Sequence, residues 1–396
     1  MKKQLAGILA LMMSLSMAAC SSDSESGESP ANETTTTAAE VKDETTAKAD
    51  EDSAEDETTT EAETEPPAPA IEYATPAEDD FEYTYDAVIG GVKISSYKGE
   101  AEAIIIPTEL DGDAVKNVTI SNSKITHIEI PEGIEIIDFG GCSNLSGVTL
   151  PDSVTSISMD SCKSLTKISI PDSVTYICFD ICENLKEITI PNSVTTFGDD
   201  AFSGCNSLTS ITIPDSVMEI GSGAFRGCEN LKSLVLPDNG LKFNGNSAFS
   251  DCKNLESVTI PDSVKFLGSN TNEENRMDST FYGCTSLKEI TIPDGVEVIT
   301  NGAFADCTSL ESVTLPNSVV RFYNAFMGCE SLTSINIPDG VIIEGASFSK
   351  CTKLRSLTLP DNVTITDHVF SGCEGLTVTY KGEEYTYAND PNGWWK

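Results

Sequence analysis

Eleven cysteines in this chain share one fixed neighbourhood. Each stands three residues before a leucine, and ten of them stand nine residues before a proline. The clearest copy is Cys205, Leu208, Ile211, Ile213, Pro214, and the spacing recurs from Cys142, Cys162, Cys182, Cys228, Cys252, Cys284, Cys307, Cys329 and Cys351. The eleventh copy, Cys373 with Leu376, has Gly382 in place of the proline. A unit of about 20 to 24 residues cannot bury its own apolar face, so its copies must stack and share a core. The pattern therefore predicts a repeat solenoid. A solenoid offers long regular surfaces, which puts binding ahead of catalysis as the first class of function.

One turn can be read from residues 205–228. Leu208, Ile211 and Ile213 point inward from a short strand and Thr212 points out, because strand side chains alternate. Pro214-Asp215 ends the strand in a turn. Val217 and Ile220 bury a second edge, and Ala224-Phe225 closes the back. A phenylalanine precedes the cysteine by three in every copy (Phe139, Phe179, Phe202, Phe225, Phe249, Phe281, Phe304, Phe326, Phe348, Phe370) except at Cys162, where it is Met159. Stacked turns pair their strands in parallel, about 4.8 Å apart. The strand-ending prolines predict about thirteen rungs and little helix, a β-solenoid over 107–375. Open ends would expose core and strand edges. Residues 81–97, around Gly90-Gly91, and 376–387, around Lys381-Gly382, read as capping hairpins, which makes 81–106 the N-terminal cap and 376–396 the C-terminal cap and tail. The tail's Trp394 and Trp395 are expected to pack on that cap or to be disordered, with a contact site as the alternative.

The N-terminus reads differently. Lys2 and Lys3 precede an apolar run over 5–17, followed by Ala18, Ala19 and Cys20. That is an export signal with a small-residue cleavage site. Its last four residues resemble a bacterial lipobox, with Met17 where leucine is usual, which implies lipidation at Cys20. Residues 21–80 carry 20 acidic side chains against Lys42 and Lys48, with almost no large apolar residue. They are expected to form a disordered acidic stalk. The whole chain has a net charge of −39. This argues against nucleic acid or an anionic membrane surface as partner, since both require basic patches.

Thirteen cysteines in an exported chain would ordinarily suggest disulfides. Eleven of them occupy one position of the coil, however: Cys142, Cys162, Cys182, Cys205, Cys228, Cys252, Cys284, Cys307, Cys329, Cys351 and Cys373. Such a column has parallel side-chain directions, unsuited to disulfide closure or to tetrahedral zinc. The reading is a structural ladder of small buried side chains. Cys178 is extra and is left either paired or free. An outward column that includes Thr189, Thr212, Thr259, Thr291, Thr314 and Thr358 is the candidate binding face. A threonine array could also match an ice lattice, but threonine simply suits a solvent-facing pleat. The outward columns contain no aromatic residue, which favours a protein over a sugar ligand. Aspartates recur after the prolines, as at Asp215, Asp262 and Asp294, and are read as Asx-turn residues rather than a calcium row. The stretch 268–278, a polar insertion between Pro261 and Pro293, supplies a candidate loop: Asn270, Asn272, Glu273, Glu274, Asn275 and Arg276. His127 and His368 are some ten turns apart and cannot share a catalytic site. No metal site or cofactor is expected.

The unit C-x-x-L-x-x-I-x-I-P-x-x-V followed by A-F resembles the BspA-like leucine-rich repeat family of bacterial surface proteins, over about residues 90–387. The resemblance implies a leucine-rich-repeat β-solenoid, surface attachment and binding of extracellular or surface proteins, including adhesion. The expected product is a monomeric, non-catalytic lipoprotein that touches the membrane through the lipid on Cys20 alone. A glycan-binding lipoprotein of an uptake system and a structural cell-envelope spacer are the alternatives.

Overall fold

The computed structural model describes residues 71–243, 246–267, 279–366 and 368–395. The signal segment, Cys20, residues 21–70 of the acidic stretch and the 268–278 loop with its six candidate residues lie outside them. Among the described residues there is no α-helix, and two 3-10 turns, Glu78–Asp80 and Tyr387–Asn389, sit at the ends. The rest is a parallel-strand β-solenoid of about twelve turns.

Most turns contribute two short strands, not one. The first face carries the strand before each proline, from Ala103–Ile105 and His127–Glu129 to Ser356–Leu359 and Thr377–Tyr380. The second face carries a strand that begins four or five residues after the proline, such as Ile136–Asp138, Phe266–Leu267, Val298–Ile299, Arg321–Tyr323 and Ile342–Glu344. Sequence reading took Val217 and Ile220 as a buried edge. Both are buried, and Ile220 also lies in a strand, Glu219–Ile220, which inward residues three apart do not reveal. The ladders differ in continuity. Phe266–Leu267, Val298–Ile299, Arg321–Tyr323, Ile342–Glu344 and Thr364–Ile365 form one five-stranded parallel sheet on the second face. The first face is divided into sheets of two or three strands. In the turn chosen as the clearest copy, Leu208, Ile211 and Ile213 are buried as read, yet 209–213 forms no strand.

The third side is a back corner built without strands. Phenylalanine rings from Phe179 to Phe370 stack nearly parallel, with centroids 5.2–5.9 Å apart. Such pairs contribute ~0.5–1.5 kcal/mol each beyond the area they bury. Backbone bonds tie the same corner together: Phe202 N–H donates to Ala224 O (2.7 Å) and Phe225 N–H to Ala248 O (2.8 Å). The chain reverses there through left-handed residues just before the cysteine, usually glycine, as at Gly204 (φ 67°) and Gly227 (φ 69°), but also Ile181 (φ 56°).

Both ends are closed. Phe81–Asp86 pairs antiparallel with Gly91–Tyr97 at the start, and Thr377–Tyr380 with Glu383–Thr386 at the finish. Lys381 (φ 52°) and Gly382 (φ 79°) make that last turn, both left-handed as a two-residue hairpin requires. This explains why glycine replaces the proline of the other copies. Residues 71–80, assigned by composition to the acidic stalk, belong instead to the folded unit. Ala74 forms a parallel bridge with Ile104, and Glu78 accepts a bond from Asp111 N–H (3.1 Å). A single bridge leaves no trace in composition. The tail folds back as a decoy turn. Phe370 N–H donates to Trp394 O (2.8 Å), the Trp395 ring packs 5.3 Å from Phe370, and Trp395 Nε1–H donates to Cys373 O (3.1 Å).

Candidate functional site

The cysteine ladder is the interior that every outward residue rests on. Among the described residues twelve cysteines are present, all free and all buried. Cys178, left open between pairing and freedom, is one of them. The ladder thiols are more than small apolar fillers. Each donates to a carbonyl of the preceding turn, usually that of its phenylalanine: Cys228 Sγ to Phe202 O (3.1 Å), Cys252 Sγ to Phe225 O (3.2 Å), Cys307 Sγ to Phe281 O (3.2 Å). That same carbonyl accepts from the backbone N–H of its own turn's cysteine, as Phe202 O does from Cys205 (3.1 Å). Both lone pairs of a buried carbonyl are thus used. Burial pushes the Cys252 and Cys307 thiols up to about 12, so they stay protonated and remain donors.

The first face bears the threonine column. Thr189, Thr212, Thr259, Thr291, Thr314 and Thr358 are all exposed there. Thr291 pairs in register with Thr314, and Thr259 with Val235. The six do not form one continuous ladder, because Thr212 has no strand and the strands bearing Thr259 and Thr291 belong to different sheets. At the corner between faces, the aspartates after the prolines do not close Asx turns. Among the described residues, no side chain of Asp215, Asp262, Asp294, Asp339 or Asp361 accepts a hydrogen bond. In some turns the next residue bonds between turns instead: Ser216 Oγ donates to Val194 O (2.7 Å), and Ser318 Oγ, after Asn317, donates to Val296 O (2.7 Å). The aspartates are exposed carboxylates. Among the described residues no group of three or more His, Cys, Asp or Glu is placed to hold a metal.

The second face, which the sequence reading did not distinguish, carries the aromatic residues that the first-face columns lack. Tyr176, Phe266 and Tyr323 are half-buried on it. Around Phe266 the outward positions hold Val298, Val320 (54% exposed) and Ile342 (38% exposed). Register places Phe266 beside Val298, Val298 beside Arg321 and Arg321 beside Ile342. Arg321 is ion-paired with Glu344 of the next turn. The available signal was the exchange of threonine, lysine or glutamate for apolar residues at one position of the later copies. It was missed because that position was not known to be a strand. Farther toward the N-terminus the same face ends in carboxylates. Burial first, then neighbouring Asp200, raises Asp180 to about 6, and burial also raises Asp160. Asp200 is itself paired with Arg226 at 3.3 Å.

The profile of the BspA type leucine-rich repeat region matches the chain in six copies, over residues 113–177, 159–277 and 274–389. Two solved structures are similar. A leucine-rich repeat protein from Bacteroides ovatus is 29% identical, with 76% of this chain and 86% of that one covered and a TM-score of 0.59. A leucine rich cell surface protein from Faecalibacterium prausnitzii is 28% identical, with 77% and 88% covered and a TM-score of 0.52. No curated protein matches the chain.

Proposed function

The chain belongs to the BspA-type leucine-rich repeat family, and we propose that it is a non-catalytic protein-binding module of the cell surface that adheres to host or bacterial surface proteins. The observation that carries this reading is how each turn divides its side chains. Leucine, isoleucine, phenylalanine and cysteine go to one shared core, and the residues between them stand outward in straight columns. Variation from copy to copy thus falls on extended faces, the kind of surface a protein partner needs. The threonine column is one such face and the Phe266–Ile342 region is the other.

Surface placement is supported by the Faecalibacterium neighbour, itself called a cell surface protein, and by the export signal read at 1–20. No helix among the described residues is long and apolar enough to cross a membrane, and we assign attachment to a lipid on Cys20. A non-catalytic role is supported by the histidines: His127 lies in an early strand and His368 in the last full turn. A glycan-binding lipoprotein is the second reading, favoured by the aromatics of the second face, since sugars stack on such rings.

The test is a binding screen of the full chain against immobilised extracellular-matrix proteins and polysaccharides over a salt titration. A saturable protein ligand is the expected result. Binding to polysaccharides alone would move the conclusion to the second reading, and no binding to either would leave a spacer role.

A further inference from the structure

We propose that the docking face for the partner is the second face over its C-terminal turns, and that the partner is a basic protein surface carrying an apolar strip. The inference rests on the protein-binding reading and adds to it which face binds and what it binds. Phe266, Val298 and Ile342 stand on one unbroken five-stranded sheet, with Arg321 between Val298 and Ile342 and exposed Val320 just ahead of its strand. Beneath them Leu267, Ile299, Phe322 and Ile343 are wholly buried. The strip is therefore carried on a rigid base, so little ordering entropy is lost when it is covered.

An outward strand position normally goes to a polar residue. Grouped exposed apolar side chains mark interaction sites, and aromatics with arginine are enriched where binding energy concentrates. The first face has the opposite character. Its outward column is threonine, serine and charge, with Val235 as the single large exposed apolar residue among its described positions.

Charge identifies the partner. One edge of the strip is bordered by exposed Asp262, Asp294, Asp339 and Asp361, two residues ahead of each turn's inward valine, and these carboxylates are unpaired among the described residues. Glu297 is balanced by exposed Lys265 beside it on the neighbouring turn, and Arg321 is already neutralised by Glu344, which leaves the four aspartates as the net charge. An apolar strip beside a row of free carboxylates complements apolar side chains flanked by lysine or arginine. Aliphatic Val298, Val320 and Ile342 offer sugars no hydrogen-bonding groups, so a glycan fits the strip less well.

The experiment measures binding of the full chain to a short synthetic peptide of alternating lysine and valine, beside oligolysine, a glutamate–valine peptide and dextran. The lysine–valine peptide should bind at least about tenfold more tightly than oligolysine, a ~1.4 kcal/mol difference, and its binding should weaken with salt. Changing Phe266, Val320 and Ile342 together to serine should cost at least about tenfold in affinity, the same ~1.4 kcal/mol step. Changing Thr259, Thr291 and Thr314 to serine should leave it unaltered. Hydrogen exchange on the unmodified chain should show peptide protection at 298–299, 321–323 and 342–344, which keeps the test independent of how the variant folds. Equal affinity for oligolysine, preference for dextran, no binding, or protection confined to the first face would each overturn the proposal. If the screen's protein ligand is lost in the threonine variant instead, protein binding stands and this face is wrong. If the screen finds no protein ligand, the underlying reading itself falls.

Discussion

Cysteine holds a position in this repeat that alanine or valine could fill by volume, and the thiol hydrogen accounts for the choice. The corner carbonyl of each turn needs a second donor, and Cys252 supplies one to Phe225 O at 3.2 Å. Cys252→Ala should cost about 1–3 kcal/mol in chemical denaturation, from the lost donor and the space left behind. Thiol titration should find few reactive groups in the native protein. In the denatured, unreduced protein it should find the twelve buried thiols. Near zero in that second sample would mean disulfides. The column itself was legible because its spacing is rigid. Its bonding was not, since a thiol's acceptor lies a whole turn away in sequence. The left-handed residue before each cysteine was also written in the chain, as glycine in most copies. Ile181 departs from that rule with φ 56°, a conformation that costs a branched side chain ~1–2 kcal/mol. It is 38% exposed, so little packing is lost on its removal. Ile181→Gly should raise stability by about 1 kcal/mol, read as a shift in the urea midpoint.

Strands and caps were legible to different degrees. The strand before each proline shows itself by alternation, as in Leu208, Ile211 and Ile213, whereas the second strand shows one inward residue at a time and reads as an edge. That single gap hid the apolar positions around Phe266. It also hid the carboxylates that gather where this second strand ends. Asp180 is raised from the ordinary aspartate value to about 6 by burial and by Asp200. A folded pKa above the unfolded one means that the protonated form is the favoured one in the folded state. Its contribution to stability is full below about pH 4 and is lost as pH rises through about 6. Asp180→Asn should flatten this part of the stability–pH curve and raise the melting temperature at pH 7. An unchanged curve would remove Asp180 as the cause. At the far end, the two tryptophans complete the phenylalanine stack, which composition alone could not distinguish from a loose tail. Trp395 is 2% exposed, and Trp395→Ala should cost about 3 kcal/mol. Amide exchange at Phe370 and His368 should rise first, because both N–H groups donate to the tail.

For the molecule as a whole, stacking makes stability a sum over turns and their interfaces, so a change in one outward column should leave the core almost untouched. Period, ladder and capping hairpins were all readable because they repeat or break a repeat. The start of the folded unit near residue 71, the decoy turn and the second face were not, because each depends on contacts that occur once or lie between turns. Variable outward side chains ride on one continuous, rigid stack. Native-state hydrogen exchange of the full chain tests it most directly. The corner amides of Phe179 through Phe348 should exchange slowest and at similar rates, with exposed turn amides fastest. A fast-exchanging block of corner amides within that run would show separate folding units and contradict the claim.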